Sequence, residues 1–438
     1  MNSRRKHMNS ILAVLLTFSL LLMGCGAANE SSASGNKTET PEVSAEDENK
    51  DASEAEKATA DEERTDESKE TQETAEKSDS SSYMVEAEDA PEIEGLSVEG
   101  QLKLDYAEGF DVYYYEGGYA LMDVYDSAQY MIVPDGMEVP ENISEDTIVL
   151  LQPLDKIYLA ATSAMALFRG LDSLGNIRLT GTESSGWYVQ EAAEAMDNGD
   201  MLFAGKYSEP DYELLVDENC NLAIESTMIL HSPKVQEMIE MLDIPVFIDH
   251  SSYETHPLGR TEWIKAYGVM MDKEEEAQTF FDKQAEVIEQ LKDFTNTEKT
   301  VVFFYVSTDG SVVVRKSDDY IPKMIEIAGG RYIFDNLQNE ESTSASVSLT
   351  MEEFYATAAD ADYIIYNGTI DNPISSVDEL LAKSELFSDF KAVKEGNVWT
   401  IGKDLYQATD IVGNMILDVN HMLTGENSDE MTFLTKVD

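Results

Sequence analysis

The sequence predicts an α/β fold of two lobes joined by a single long helix, with a disordered acidic tether in front. Three observations lead there. Strand and helix patterns alternate on both sides of one stretch, Arg260 to Phe294. That stretch itself carries helix-start signals and an apolar stripe. The residues ahead of about position 96 have a composition unlike the rest.

The central stretch reads "RTEWIKAYGVMMDKEEEAQTFFDKQAEVIEQLKDF". Thr261 is placed to cap a short helix reaching about Met270, with Glu262 in its first turn. Asp272 is the expected N-cap of a longer helix, and Glu275 three places on suits a capping box. Ala277, Phe281, Ile288, Leu291 and Phe294 then share one helical stripe among charged neighbours. At 1.5 Å per residue such a helix spans roughly 30 Å, a spine long enough to join two lobes.

Residues 1–25 read as a processing segment. Arg4, Arg5 and Lys6 precede an apolar run, Ile11 to Met23, that is short for a membrane span. The run ends Leu22-Met23-Gly24-Cys25, which resembles a bacterial lipobox. That resemblance implies lipidation at Cys25 and anchoring on the extracytoplasmic face of the cell membrane. The lipid is the only covalent group expected. Cys220 is left without a partner, so no disulfide is expected, and no Cys/His metal pattern is present. Residues 26–95 hold 23 acidic and 6 basic residues with almost no large apolar side chains before Tyr83, a composition that cannot offset its ordering entropy. Removing that −17, and the +3 of residues 1–25, from the total of −57 leaves −43 on residues 96–438. Nucleic acid is excluded as a partner, because phosphate contacts need basic clusters.

The rest divides into a first lobe (96–260), the helical segment (261–294) and a second lobe (295–438). Residues 96–135 form an antiparallel meander turning at Glu116-Gly117-Gly118. After Pro153, "KIYLAAT", "NIRLTG", "NLAIES" and "IPVFID" are strands, with helices over Ser163 to Leu174 and over "KVQEMIEMLD". Past the spine, "TVVFFYVS", "SVVVRK", "ADYIIYN" and "NVWTIG" are strands. Helices are expected around 320–328, 350–359, 377–383 and 409–423.

Four pieces, "MIEMLDIPVFI", "HPLGRTEWIKAYGVMMDKEEEAQTFFDK", "MIEIAGGRYIF" and "FKAVKEGNVWTIG", occur in an order that resembles the substrate-binding lipoproteins of ABC importers for ferric siderophores, haem and cobalamin. The resemblance covers about Pro153 to Leu423. It implies the class III periplasmic-binding-protein fold, no catalytic machinery, and a ligand held between the lobes. No GxSxG, P-loop, HExxH or GxGxxG motif is present. Its implied partners are an ABC permease dimer with its ATPase and a small-molecule metal chelate, the receptor itself being a monomer. It also implies one docking glutamate on each lobe, entering arginine pockets of the permease. Glu213 stands at that position in "EPDYELLVDENCNLAI", and Glu353, with Glu352 as its competitor, in "SLTMEEFYATAADADYII".

Ligand-lining candidates sit at strand ends, where α/β proteins bind. They are Ser163, Trp187, Tyr188, Lys206 and Tyr253 in the first lobe, and Arg315, Lys316, Tyr332 and Asn367 in the second. Trp187 and Tyr188 either stack on a flat ligand or pack beneath their loop. Arg315 and Lys316 alternate along a strand, so one of them at most faces the ligand. His231, His250 and His256 lie in loops, but their spacing alone makes no metal site. The expected function is capture of a ferric siderophore for an ABC permease. A haem or cobalamin receptor is the alternative within the class; an extracytoplasmic enzyme, or a surface adhesion or scaffold protein, are alternatives outside it. The surplus of acid favours a neutral or cationic chelate over a strongly anionic one.

Overall fold

The computed structural model describes residues 82–338, 344–370, 372–427 and 430–438. Cys25 and most of the expected tether lie outside the described residues. Folded structure begins earlier than expected, because Met84–Val85 already pairs antiparallel with Val98–Leu102 and Ile93 is buried. Residues 82–95 therefore belong to the fold, and the acidic composition hid their few anchoring apolar side chains.

The expected meander is the middle of a larger sheet of six strands, running in sequence order from Met84–Val85 to Ile148–Leu151. Phe110–Tyr115 and Tyr119–Val124 form the hairpin read from sequence. Gly117 and Gly118 turn it with φ of 90° and 82°, which glycine adopts without strain. One face packs through Phe110, Val112, Met122, Tyr130 and Ile132 into the core of the first lobe. The other is covered by its own leading segment, through Ile93 and Leu96.

Two buried carboxylates fasten this sheet to the lobe. Glu262 accepts backbone N–H bonds from Asp105, Tyr106 and Ala107 at 2.9, 2.7 and 2.7 Å, and an ion pair from Lys265 at 2.7 Å. Glu254 accepts from the backbone of Glu108 and Gly109 and from Trp263 Nε1. With so many N–H donors, each carboxylate recovers the solvation it loses on burial.

The first lobe proper is a five-stranded parallel sheet ordered Val246–Asp249, Leu222–Ser226, Ile157–Leu159, Ile177–Thr180, Leu202–Phe203. The second lobe is a mixed sheet centred on parallel Thr300–Val306, Tyr363–Asn367 and Val398–Ile401. Its antiparallel members are Val312–Arg315, Ser346–Leu349 and Thr435–Lys436. Every residue of Tyr363–Asn367 and Val398–Ile401 is buried, as helices on both faces require.

The connecting segment differs in detail from its expectation. Pro257–Glu262 is already helical, so Thr261 lies inside a helix and its hydroxyl donates to Thr409 O at 2.8 Å. Ile264–Met271 follows and ends at Asp272, which has φ 56° and ψ 46°. Asp272 is thus a left-handed C-cap and not an N-cap, a conformation Asp tolerates better than most residues. The inter-lobe helix is Glu274–Glu289, with three glutamates in its first turn facing the positive end of the helix dipole. Its 16 residues extend about 24 Å. Ala277 and Phe281 enter the first core, Leu291 borders the second, and Ile288 packs against both.

Candidate functional site

Carboxyl ends of the parallel strands in both lobes meet, and the loops leaving them interlock. In the first lobe these loops follow Ile157–Leu159 and Ile177–Thr180; in the second, the loop follows Val398–Ile401. Gln407 bridges across with its side-chain amide. Its Oε1 accepts from Tyr188 N at 2.7 Å and its Nε2 donates to Gly186 O at 3.0 Å. Lys403 Nζ donates to Ser185 O at 3.2 Å, and Thr409 Oγ1 to Ser163 O at 2.6 Å. Arg169 Nη2 meets Asp410 Oδ2 at 2.7 Å. Burial pushes the Asp404 carboxyl up to about 6, and its Oδ1 has no hydrogen-bond partner among the described residues.

A groove of about 620 Å³ is lined mostly by the second lobe. Thr255 and His256 wall it from the first lobe; Asp319, Lys323, Arg331 and Tyr332 are among its walls in the second. That volume suits a small-molecule ligand. Beside it, the Arg260 guanidinium lies 3.6 Å from the centroid of the Tyr320 ring. Arg315 donates to Tyr406 Oη and has Asp319 Oδ2 at 3.7 Å.

Several predicted residues gather at the junction. Ser163 contributes its backbone carbonyl, and Tyr188 its N–H while its side chain packs against the second core. Arg315 is the best placed of the predicted cations. Tyr332 lines the groove but spends its hydroxyl on the backbone of Arg315, where it acts as a buttress.

The rest fall elsewhere. Trp187, for which stacking on a ligand and packing beneath the loop were both open, is 5% exposed and packed in the first core. Large apolar area outweighed the loop signal there. Lys206 is exposed on a two-stranded hairpin with Glu209–Pro210. Tyr253 is 61% exposed and edge-on to His250. Lys316 is buried, just past the end of the Val312–Arg315 strand. Asn367 is buried and its Oδ1 accepts from the backbone and hydroxyl of Thr369, so it shapes a turn.

His256 serves as a helix cap. Its Nδ1 accepts from Leu258 N, its ring stacks on Tyr106, and burial holds its pKa down at about 4. No group of three or more His, Cys, Asp or Glu is placed to hold a metal ion among the described residues. Cys220 is buried just ahead of the Leu222–Ser226 strand, and burial lifts its thiol to about 11.

Glu213 is exposed in the first turn of Tyr212–Asp217. Glu353 is exposed as well, but its Oε2 closes a capping box with the backbone and hydroxyl of Thr350. Glu352 beside it is exposed and engaged in none of those bonds.

Arg169, Arg260, Tyr320, Tyr406, Gln407 and Asp410 were not singled out from the sequence. The available signal was "GKDLYQATD", a polar and aromatic run directly after a buried strand, at the position where parallel strands present ligand-binding loops.

Comparison with known proteins finds a matching family, sequence relatives and similar structures. Residues 175–405 match a family described as periplasmic binding protein. An uncharacterised lipoprotein of Methanocaldococcus jannaschii is 22% identical over 328 residues, covering 69% of this chain and 77% of that one. A second lipoprotein of the same organism is 24% identical, covering 76% and 86%. Among solved structures, a possible iron-binding periplasmic solute-binding protein of Staphylococcus epidermidis superposes with a TM-score of 0.48 at 17% identity, over 61% of this chain and 97% of that one. A periplasmic haem-binding protein of Vibrio cholerae superposes with a TM-score of 0.47 at 15% identity, over 61% and 96%.

Proposed function

Because the chain belongs to the periplasmic binding protein family, we propose that it is an extracytoplasmic solute receptor that captures a ferric siderophore or a similar iron chelate and delivers it to an ABC permease. The carrying observation is the groove of about 620 Å³ walled by both lobes, with guanidinium and phenol groups at its side. A chelate there touches both lobes at once, so its binding energy holds the lobes in one arrangement. The Glu274–Glu289 helix packs on both lobes and keeps that change small. In this reading Cys25 carries the lipid that holds the receptor at the outer face of the membrane. Glu213 on the first lobe and a glutamate at 352–353 on the second address the two halves of the permease dimer.

Isothermal titration of the purified protein with ferric hydroxamates, ferric catecholates, ferric citrate, haem and cobalamin tests the reading. One-to-one saturable binding of a ferric chelate, with no response to haem or cobalamin, is the expected result. Selective binding of haem or cobalamin moves the receptor to that cargo. Silence toward all five removes the proposal.

A further inference from the structure

We propose that His256, steadied by Tyr106 of the leading sheet, contacts the solute as a hydrogen-bond donor, presenting Nε2–H to an acceptor atom and no lone pair to the metal. Tyr106 is the positioning residue. The proposal deepens the chelate reading of the groove and rests on it.

Thr255 and His256 are the residues that the first lobe gives to the groove. His256 Nδ1 accepts from Leu258 N at 3.2 Å and so caps the Pro257–Glu262 helix. A ring nitrogen that accepts carries no proton, so in the neutral ring the proton sits on Nε2. Nε2 makes no hydrogen bond among the described residues and remains accessible. A metal would need a lone pair in the plane of the ring, and the protonated Nε2 has none to give. An oxygen or nitrogen acceptor of a chelate needs only the N–H.

The ring is held from behind. Tyr106 stacks on it with centroids 4.5 Å apart and planes at 30°, and meets Phe281 of the inter-lobe helix edge-on at 6.0 Å. Glu262 fixes the loop that carries Tyr106, accepting from Tyr106 N and Ala107 N at 2.7 Å each. The support therefore comes from chain ahead of residues 175–405, the segment that the family match covers, while the donor lies inside it. The charges around the ring keep it neutral. Burial opposes a second proton, and so does the Lys323 ammonium facing it from the Tyr320–Ile327 helix. The nearby carboxylates are engaged elsewhere: Glu262 with the loop and Lys265, Glu254 with Glu108, Gly109 and Trp263. Arg260 is held by the carbonyls of Ser252 and Glu254. His256 is thus a neutral donor at neutral and mildly acidic pH.

The parent protein is compared with Tyr106→Ala, Tyr106→Phe and His256→Asn. Asparagine is among the best helix N-caps, so His256→Asn keeps the cap and removes the Nε2 donor. Long-range proton–nitrogen spectra of histidine-labelled protein identify the His256 ring, one of five, by its absence from that variant. In the parent the ring should show the Nε2–H tautomer and stay neutral down to pH 5. In Tyr106→Ala it should take up a proton between pH 7 and pH 5, and Tyr106→Phe, which keeps the stacked ring, should behave as the parent does. Ferric hydroxamates, ferric catecholates, ferric citrate, haem and cobalamin are then titrated by calorimetry and visible absorption. Whichever binds the parent should bind His256→Asn about fivefold more weakly, as for one lost hydrogen bond, with its visible band in place. A displaced band in His256→Asn means direct ligation of the metal and overturns the proposal. So does the Nδ1–H tautomer, a titration untouched by Tyr106→Ala, or an affinity unchanged in His256→Asn; each of these leaves the chelate reading standing. Silence toward all five probes overturns both.

Discussion

Arg169 crosses from the first lobe to place Nη2 2.7 Å and Nε 3.1 Å from Asp410 Oδ2 of the second. Asp410 is 2% exposed, and its other oxygen is buried without a partner among the described residues. Burial lifts the Asp410 carboxyl against the pull of Arg169. The pair therefore holds the lobes together only while the guanidinium is present.

Arg169→Met should destabilise the protein by about 2–3 kcal/mol at pH 7.5, since it leaves a buried carboxylate uncompensated. The defect should shrink as the pH is lowered, because Asp410 is held above its ordinary range and neutralises first in the folded state. Urea unfolding of parent and variant at pH 7.5 and pH 5 checks this. An equal difference at both would show that Asp410 is not the group responsible.

Gln407 carries the second prediction. One amide side chain satisfies both Gly186 O and Tyr188 N, so Gln407→Leu leaves two groups to find water. Amide exchange at Tyr188 should accelerate about fivefold, for a lost bond worth about 1 kcal/mol, with the sheet strands unaffected. Uniform acceleration across both lobes would instead mean global destabilisation.

The fold was legible where burial imposes a pattern. "ADYIIYN" and "NVWTIG" could be read as central strands because both faces of each are covered, which leaves a short continuous apolar run. Asp272 was misread because the same short polar side chain serves an N-cap and a left-handed C-cap, and only the chain's direction afterwards distinguishes them. The site was less legible. Gln407 with Gly186 and Tyr188, and Arg260 with Tyr320, are encounters between residues far apart in sequence. No local periodicity encodes them. Trp187 shows the opposite failure, a loop signal beside a side chain whose area is worth more inside the core.

Glu225 gives a pH prediction independent of the site. It is fully buried on the Leu222–Ser226 strand with neither carboxylate oxygen partnered among the described residues, and burial pushes its pKa to about 8. The folded state binds its proton more tightly than the unfolded chain does. Its contribution is therefore intact below about pH 4.5 and is lost progressively as the pH rises toward 8. Glu225→Gln should match the parent at pH 4.5 and exceed it by a few kcal/mol, as an order of magnitude, at pH 8. Parallel melting curves of the two proteins across that range would refute the assignment.

Glu352 and Glu353 separate a docking role from a structural one. Glu353 Oε2 accepts from Thr350 N at 2.9 Å and from its hydroxyl at 2.8 Å, and those hydrogen bonds hold its pKa low. Glu353→Ala therefore removes half of a capping box and should lower the melting temperature. Glu352 has no such engagement and is free to enter an arginine pocket, so Glu352→Ala should leave the melting temperature unchanged. In a liposome assay with the cognate permease, Glu352→Ala and Glu213→Ala should each lower receptor-stimulated ATP hydrolysis severalfold, and Glu353→Ala much less. A bidentate carboxylate–guanidinium contact supplies both energy and orientation, so losing one end of a two-point attachment should also spoil the register of the other. If Glu353→Ala is the damaging variant at a temperature where its helix is intact, the second-lobe contact belongs to Glu353, and its capping box must open on docking.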